Sequence, residues 1–134
     1  MSAHVTATFT FDSWDEHTVL DTEGARIVRT SFAKSFAGDL DGTSRGEMVM
    51  AHALEGSAAY TGYERVEGVI GGRRGGFVLR HNAFLADGAG SSEVVVMASS
   101  GTGDFTGLSG TASITRQDDG GHTFTMDYDI EDTT

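Results

Sequence analysis

A carboxylate and an imidazole flank a glycine-rich hinge in the stretch YERVEGVIGGRRGGFVLRH, residues 63–81. Glu64 and His81 each fall in phase with a period-two apolar run, so both point to the side that carries Tyr60, Val66, Ile70, Phe77 and Leu79. Buried together, such a pair forms an acid–base couple: burial raises a carboxyl pKa, a partner opposes that shift, and the imidazole takes or gives the proton. The same two groups also have a plainer use, hydrogen-bonding each other or nearby backbone to knit a core. The glycine cluster is not a phosphate cradle. A Walker loop needs lysine and a hydroxyl after its last glycine, and a dinucleotide fingerprint needs G-x-G-x-x-G between a strand and a helix. GGRRGG has neither and runs into a second strand.

With Arg73 and Arg74 as a two-residue turn, Val66 faces His81, Glu64 faces Ala83 and Gly68 faces Leu79, which makes Glu64 and His81 diagonal neighbours. The opposite side carries Tyr63, Arg65, Glu67, Arg80, Asn82 and Phe84, with Arg80 across from Glu67 and Arg65 across from Asn82. That is a solvated face whose ion pair contributes ~0.5 kcal/mol. A register change alters the pairing but not each strand's own faces.

Other residues could line a ligand site. On HTFTMDYDIE, His122, Phe124, Met126, Tyr128 and Ile130 share the apolar face, and Tyr128 could orient a ligand oxygen or simply satisfy a neighbour. Met48, Met50 and His52 form an adaptable row that either fills the interior or lines a pocket. Trp14 breaks phase with Val5, Ala7, Phe9 and Phe11, which places it at a bulge or a barrel rim, as a lid or a plug. The expected lining is therefore Trp14, Met50, Tyr60, Phe77, Met126 and Tyr128. No metal site is expected: GDLDG is too poor in oxygen ligands for a calcium loop, and five scattered histidines show no close pair. No G-x-S-x-G elbow is present, and without cysteine there is no thiol nucleophile or disulfide framework.

The elements that must position these groups are strands. Eight alternating runs, at about 4–14, 26–37, 43–54, 57–70, 75–86, 91–100, 110–117 and 121–131, are separated mostly by hairpin-length Gly/Asp clusters. Only DEHTVLDTEGA and GDFTGLSG could make a single helical turn. With 19 glycines and no proline, glycine and aspartate make the turns. Short connections favour an all-β, eight-stranded antiparallel up-and-down barrel over a Greek-key sandwich, in one domain spanning 1–134. Such a barrel is either filled by side chains or holds one small ligand. Twenty acidic against nine basic residues, a formal charge of −11, argue against nucleic acid and anionic membranes as partners. The N-terminus has no signal-peptide pattern and no apolar run is long enough to span a bilayer, so a cytoplasmic location is expected.

Five stretches, TFTFDSWDE, FAGDLDG, YTGYERVEGVIGGRRGGFVLRH, SSGTGDFTGLSG and FTMDYD, together resemble the bacterial domain-of-unknown-function family DUF3224 over nearly the whole chain. The resemblance implies a barrel similar to allene oxide cyclase, dirigent proteins and spirotetronate cyclases. Those relatives steer a reactive polyene, epoxide or radical through conformational restraint and a few polar contacts. It supplies no catalytic residues; Glu64 and His81 come from face and phase. The chain departs from the family at Arg74, where a small polar residue is more usual.

The expected function is a cofactor-independent barrel that binds a small apolar or amphipathic molecule and isomerises or cyclises it, with Glu64 and His81 as acid–base groups. A non-catalytic, lipocalin-like carrier or sensor and a packed structural module are the alternatives. A homo-oligomer is expected by analogy, with Val94, Val96 and Phe84 as outward apolar positions to support it.

Overall fold

The computed structural model describes residues 3–131. Nine strands run in chain order: β1 (Ala3–Thr22), β2 (Ala25–Gly38), β3 (Leu40–His52), β4 (Ala58–Ile70), β5 (Arg73–Ala86), β6 (Ala89–Val96), β7 (Thr102–Gly103), β8 (Leu108–Arg116) and β9 (His122–Ile130). Every pairing is antiparallel. Each of β1 to β5 pairs with the next, β6 pairs with β8, β8 with β9, and β9 returns to β1. The result is the closed eight-stranded up-and-down barrel, with the two-residue β7 added on β5.

Strict alternation explains why these runs close. On β2, Val28, Thr30, Phe32, Lys34 and Phe36 turn inward and are buried while their neighbours are more exposed. Val66 and Ile70 on β4 and Phe77 and Leu79 on β5 do the same. The break in phase at Trp14 is a β-bulge: the register skips between Phe11 and Ser13, so that Phe11 stands opposite Lys34 and Trp14 opposite Phe32. Beyond Phe9, no strand among the described residues pairs with the other edge of β1, although the strand continues along β2 to Thr22.

Three expectations are corrected. The β4–β5 turn lies at Gly71–Gly72, not Arg73–Arg74: Ile70 pairs with Arg73, Val66 with Phe77, Glu64 with Leu79 and Gly62 with His81. A two-residue turn with both central φ values positive, 56° and 82° here, suits two glycines and strains two arginines. Arg80 consequently meets Glu93 on β6 rather than Glu67, and Arg65 reaches Glu67 of its own strand and Thr102. Secondly, DEHTVLD continues β1 as strand, while the single turn of 3-10 helix falls at Leu54–Gly56. Thirdly, Val94 and Val96 face inward and are buried, leaving Phe84 on the outer face. No helix among the described residues is long and apolar enough to cross a membrane.

The two ends of the barrel differ. At the end bearing the β2–β3 and β4–β5 turns, Leu40, Ile70, Phe77 and Leu108 pack around Phe105, which the turn after β7 inserts as a plug. Phe105 is fully buried and meets Phe77 edge-on at 5.7 Å between ring centroids. The opposite end is left partly unfilled.

Candidate functional site

Four polar side chains meet inside the barrel, below the unfilled end. Glu64 on β4 has no exposed side-chain surface, and His81 on β5 and Lys34 on β2 have 1% and 3%. Lys34 Nζ donates to Glu64 Oε1 at 3.2 Å, His81 Nε2 lies 2.9 Å from the same oxygen, and Ser44 Oγ donates to Oε2 at 2.6 Å. Cross-strand pairing places Lys34 opposite Ser44, and glycines stand opposite both Glu64 (Gly46) and His81 (Gly62). A Cβ on Gly46 would come within 2.6 Å of the Phe32 ring, so the aromatic wall closes over that glycine.

The carboxylate is therefore saturated. Burial pushes Glu64 up, yet the hydrogen bond from His81, the Lys34 charge and the Ser44 hydroxyl outweigh it and hold the carboxyl below its usual range. An ionised carboxylate has no proton to give, so His81 Nε2 carries the hydrogen and, in the neutral ring, Nδ1 keeps its lone pair. Burial lowers the Lys34 ammonium below the ordinary lysine value, with Glu64 opposing that shift. Aromatic faces supply further compensation: Nζ lies 4.2 Å from the Phe9 centroid, 5.2 Å from Phe32 and 5.5 Å from Phe11. Among the described residues, no buried side-chain nitrogen or oxygen lacks a partner.

Above this network lies a cavity of about 260 Å³ to which all eight barrel strands contribute. Phe9, Phe11, Trp14, Phe32, Met48 and Met50 give it an apolar wall, and Lys34, His81, Tyr60 and His122 its polar points. Burial raises the Tyr60 hydroxyl pKa, keeping it a neutral donor. Trp14 is 48% exposed and packs edge-on against Phe11 at 5.1 Å, at the rim.

The structure thus distributes the sequence candidates. Trp14, Met50, Tyr60 and His81 line the cavity; Glu64 sits behind His81 and Lys34 and does not reach it. Phe77, Met126 and Tyr128 lie in the packed core. Lys34 and Ser44 escaped the sequence reading. The signal for Lys34 was available: it continues the inward row Val28, Thr30, Phe32, and it is the only lysine in the chain against eight arginines. Among the described residues, no three His, Asp or Glu converge to hold a metal ion.

The profile of a family described as protein of unknown function, DUF3224, matches residues 5–128. The chain belongs to the DUF3224 family. The crystal structure of a DUF3224 protein of unknown function from Shewanella oneidensis MR-1 is similar to it, with a TM-score of 0.89 and 32% identity over 98% of this chain and 100% of that one. Among curated proteins nothing matches. The similarity covers the whole DUF3224 barrel, so the eight-stranded wall around Lys34, Glu64 and His81 is built on the family's own frame.

Proposed function

We propose that this barrel binds one small, largely apolar molecule in the cavity at its unfilled end, with an oxygen of that molecule directed at Lys34 and His81. The observation that carries the reading is the composition of the wall: aromatic and methionine side chains from β1 to β4, Val94 and Ile114 from β6 and β8, and an ammonium and an imidazole held at the cavity by one buried carboxylate. Small-molecule sites have this make-up, a mostly apolar surface with a few convergent polar groups. A cavity of this size takes a molecule smaller than most drugs.

The finer reading is an isomerase or cyclase without a cofactor. His81 Nδ1 takes a proton from the bound molecule, Glu64 stabilises the imidazolium through Nε2–H, and Lys34 or Tyr60 supports the negative charge that develops on the ligand oxygen. The aromatic wall restrains the conformer that reacts. Copies are proposed to associate through the outer strip around Val49, Ala59 and Phe84.

The test begins with native mass spectrometry of protein from its own host, followed by identification of any released molecule. Trp14, the only tryptophan, then reports titration by apolar and amphipathic candidates through its fluorescence. Saturable quenching supports the reading; an apo mass with no quenching across the panel overturns it. Turnover lost in His81→Ala with binding retained identifies an enzyme, and binding without turnover a carrier.

A further inference from the structure

The chain's only lysine is placed inside the barrel, at the wall of a cavity, while all eight arginines lie elsewhere and none lines that cavity. That choice has chemical content. Guanidinium stays protonated and is no nucleophile, whereas a primary amine in apolar surroundings gives up its proton readily and attacks carbonyl carbon. An ion pair serving packing alone is better made with arginine, whose fork bonds a carboxylate twice. Lys34 makes one bond to Glu64, at 3.2 Å, and the rest of its head faces aromatic rings and the cavity.

We propose that Lys34 is a covalent attachment point, forming an imine with a small aldehyde or ketone that enters the aromatic cavity. This rests on the binding reading above and narrows its ligand to carbonyl compounds.

The step balances within the site. Lys34 passes one proton to Glu64 Oε1, its hydrogen-bond partner, and the freed Nζ lone pair attacks the carbonyl carbon. The carbonyl π pair moves to oxygen, which takes up the proton held by Glu64 to give a carbinolamine. A second N–H proton follows, and the oxygen leaves as water. Ammonium and carbonyl become iminium and water, with one positive charge on each side. The iminium stands where the ammonium stood, so Glu64 keeps a cationic partner and is never left as an unpaired buried charge. The lowered ammonium pKa of Lys34 favours the first proton transfer and the lowered carboxyl pKa of Glu64 opposes it, so Glu64 holds that proton only until the carbonyl oxygen takes it up. His81 lines the same cavity and is the group that would accept a proton from the carbon next to the iminium, where electron withdrawal makes that proton acidic.

A single lysine makes the test clean. The folded protein is incubated with cinnamaldehyde and sodium cyanoborohydride, and intact mass is followed together with tryptic mapping. The expected result is one adduct per chain, heavier by the aldehyde less one oxygen, on the peptide spanning residues 30–45 in which cleavage after Lys34 is blocked. The only competing amine is the N-terminus; labelling there, or labelling undiminished in Lys34→Arg, overturns the proposal. Cinnamyl alcohol, which fits the same space but forms no imine, separates the two readings through Trp14 quenching. Quenching by the alcohol without an aldehyde adduct at Lys34 keeps the cavity and removes the imine, whereas absence of both removes both. Unfolding in guanidinium should reduce labelling of Lys34 to the rate of an ordinary exposed lysine; equal rates folded and unfolded also overturn the proposal.

Discussion

The two ends of this barrel are built from the same alternation and do opposite things with it. At the plugged end the inward row is Leu40, Val66, Ile70, Phe77 and Phe105, apolar throughout and fully packed. At the other end the inward row includes Lys34, Glu64 and His81, and the aromatic residues above them leave space instead of filling it. Apolar packing is concentrated in the first end, and buried polar groups beside a cavity in the second. A buried ion pair seldom stabilises more than apolar packing of the same volume, so the polar end is not accounted for by stability alone.

Truncating the plug should cost most. Phe105→Ala is expected to destabilise by about 3–5 kcal/mol in denaturant unfolding, because the cavity it leaves is walled by a closed barrel that collapses poorly. A cost below that of the rim variant Phe11→Ala would abolish the contrast between the ends. Next, Glu64→Gln should cost about 2–3 kcal/mol, since it removes charged hydrogen bonds to Lys34 and His81, and adding Lys34→Met should recover part of the loss. Additive losses in that double-mutant cycle would show that the two groups are not coupled.

The pH dependence separates the partners. Glu64 titrates lower folded than unfolded, so its contribution is complete above the ordinary carboxylate range and is lost as pH falls through its depressed value. Lys34 is also depressed, so the native state sheds its proton first and stability rises as pH climbs toward the ordinary lysine value of 10.5. Wild type should therefore gain on Lys34→Met in alkali, by urea midpoints across a pH series; a flat difference would refute the depressed ammonium. The smallest stability effect belongs to the rim. Trp14→Ala should change stability by less than about 1 kcal/mol and weaken ligand binding roughly tenfold by calorimetry.

Much of the frame was legible in the chain. Period-two runs between Gly/Asp turns were enough to give eight strands and closure, and phase alone put Glu64 and His81 on one face, since a register error of even length preserves faces. The pairing itself was legible only through turn chemistry: Gly71–Gly72 tolerates the positive φ angles that Arg73–Arg74 does not. Val94 and Val96 were misplaced because EVVVM is apolar at consecutive positions and carries no alternation to read. Lys34 was hidden by the opposite effect, a cation inside an otherwise legible inward row, where charge suggests solvent and phase says interior. Whether an inward side chain fills space or borders it depends on residues far apart in sequence. Phase could therefore not separate Met50 and Tyr60, at the cavity, from Phe77, Met126 and Tyr128, in the core.

Past Phe9, β1 runs on with one edge of its backbone unmatched. An open strand edge is a template for another chain, and this one lies in a segment with Asp12, Asp15, Glu16, Asp21 and Glu23. Mutual repulsion among these carboxylates keeps copies from zipping together there. Among the described residues, the carboxylates of this stretch thus lie along the long unmatched edge of β1, where like charge opposes edge-to-edge pairing of copies.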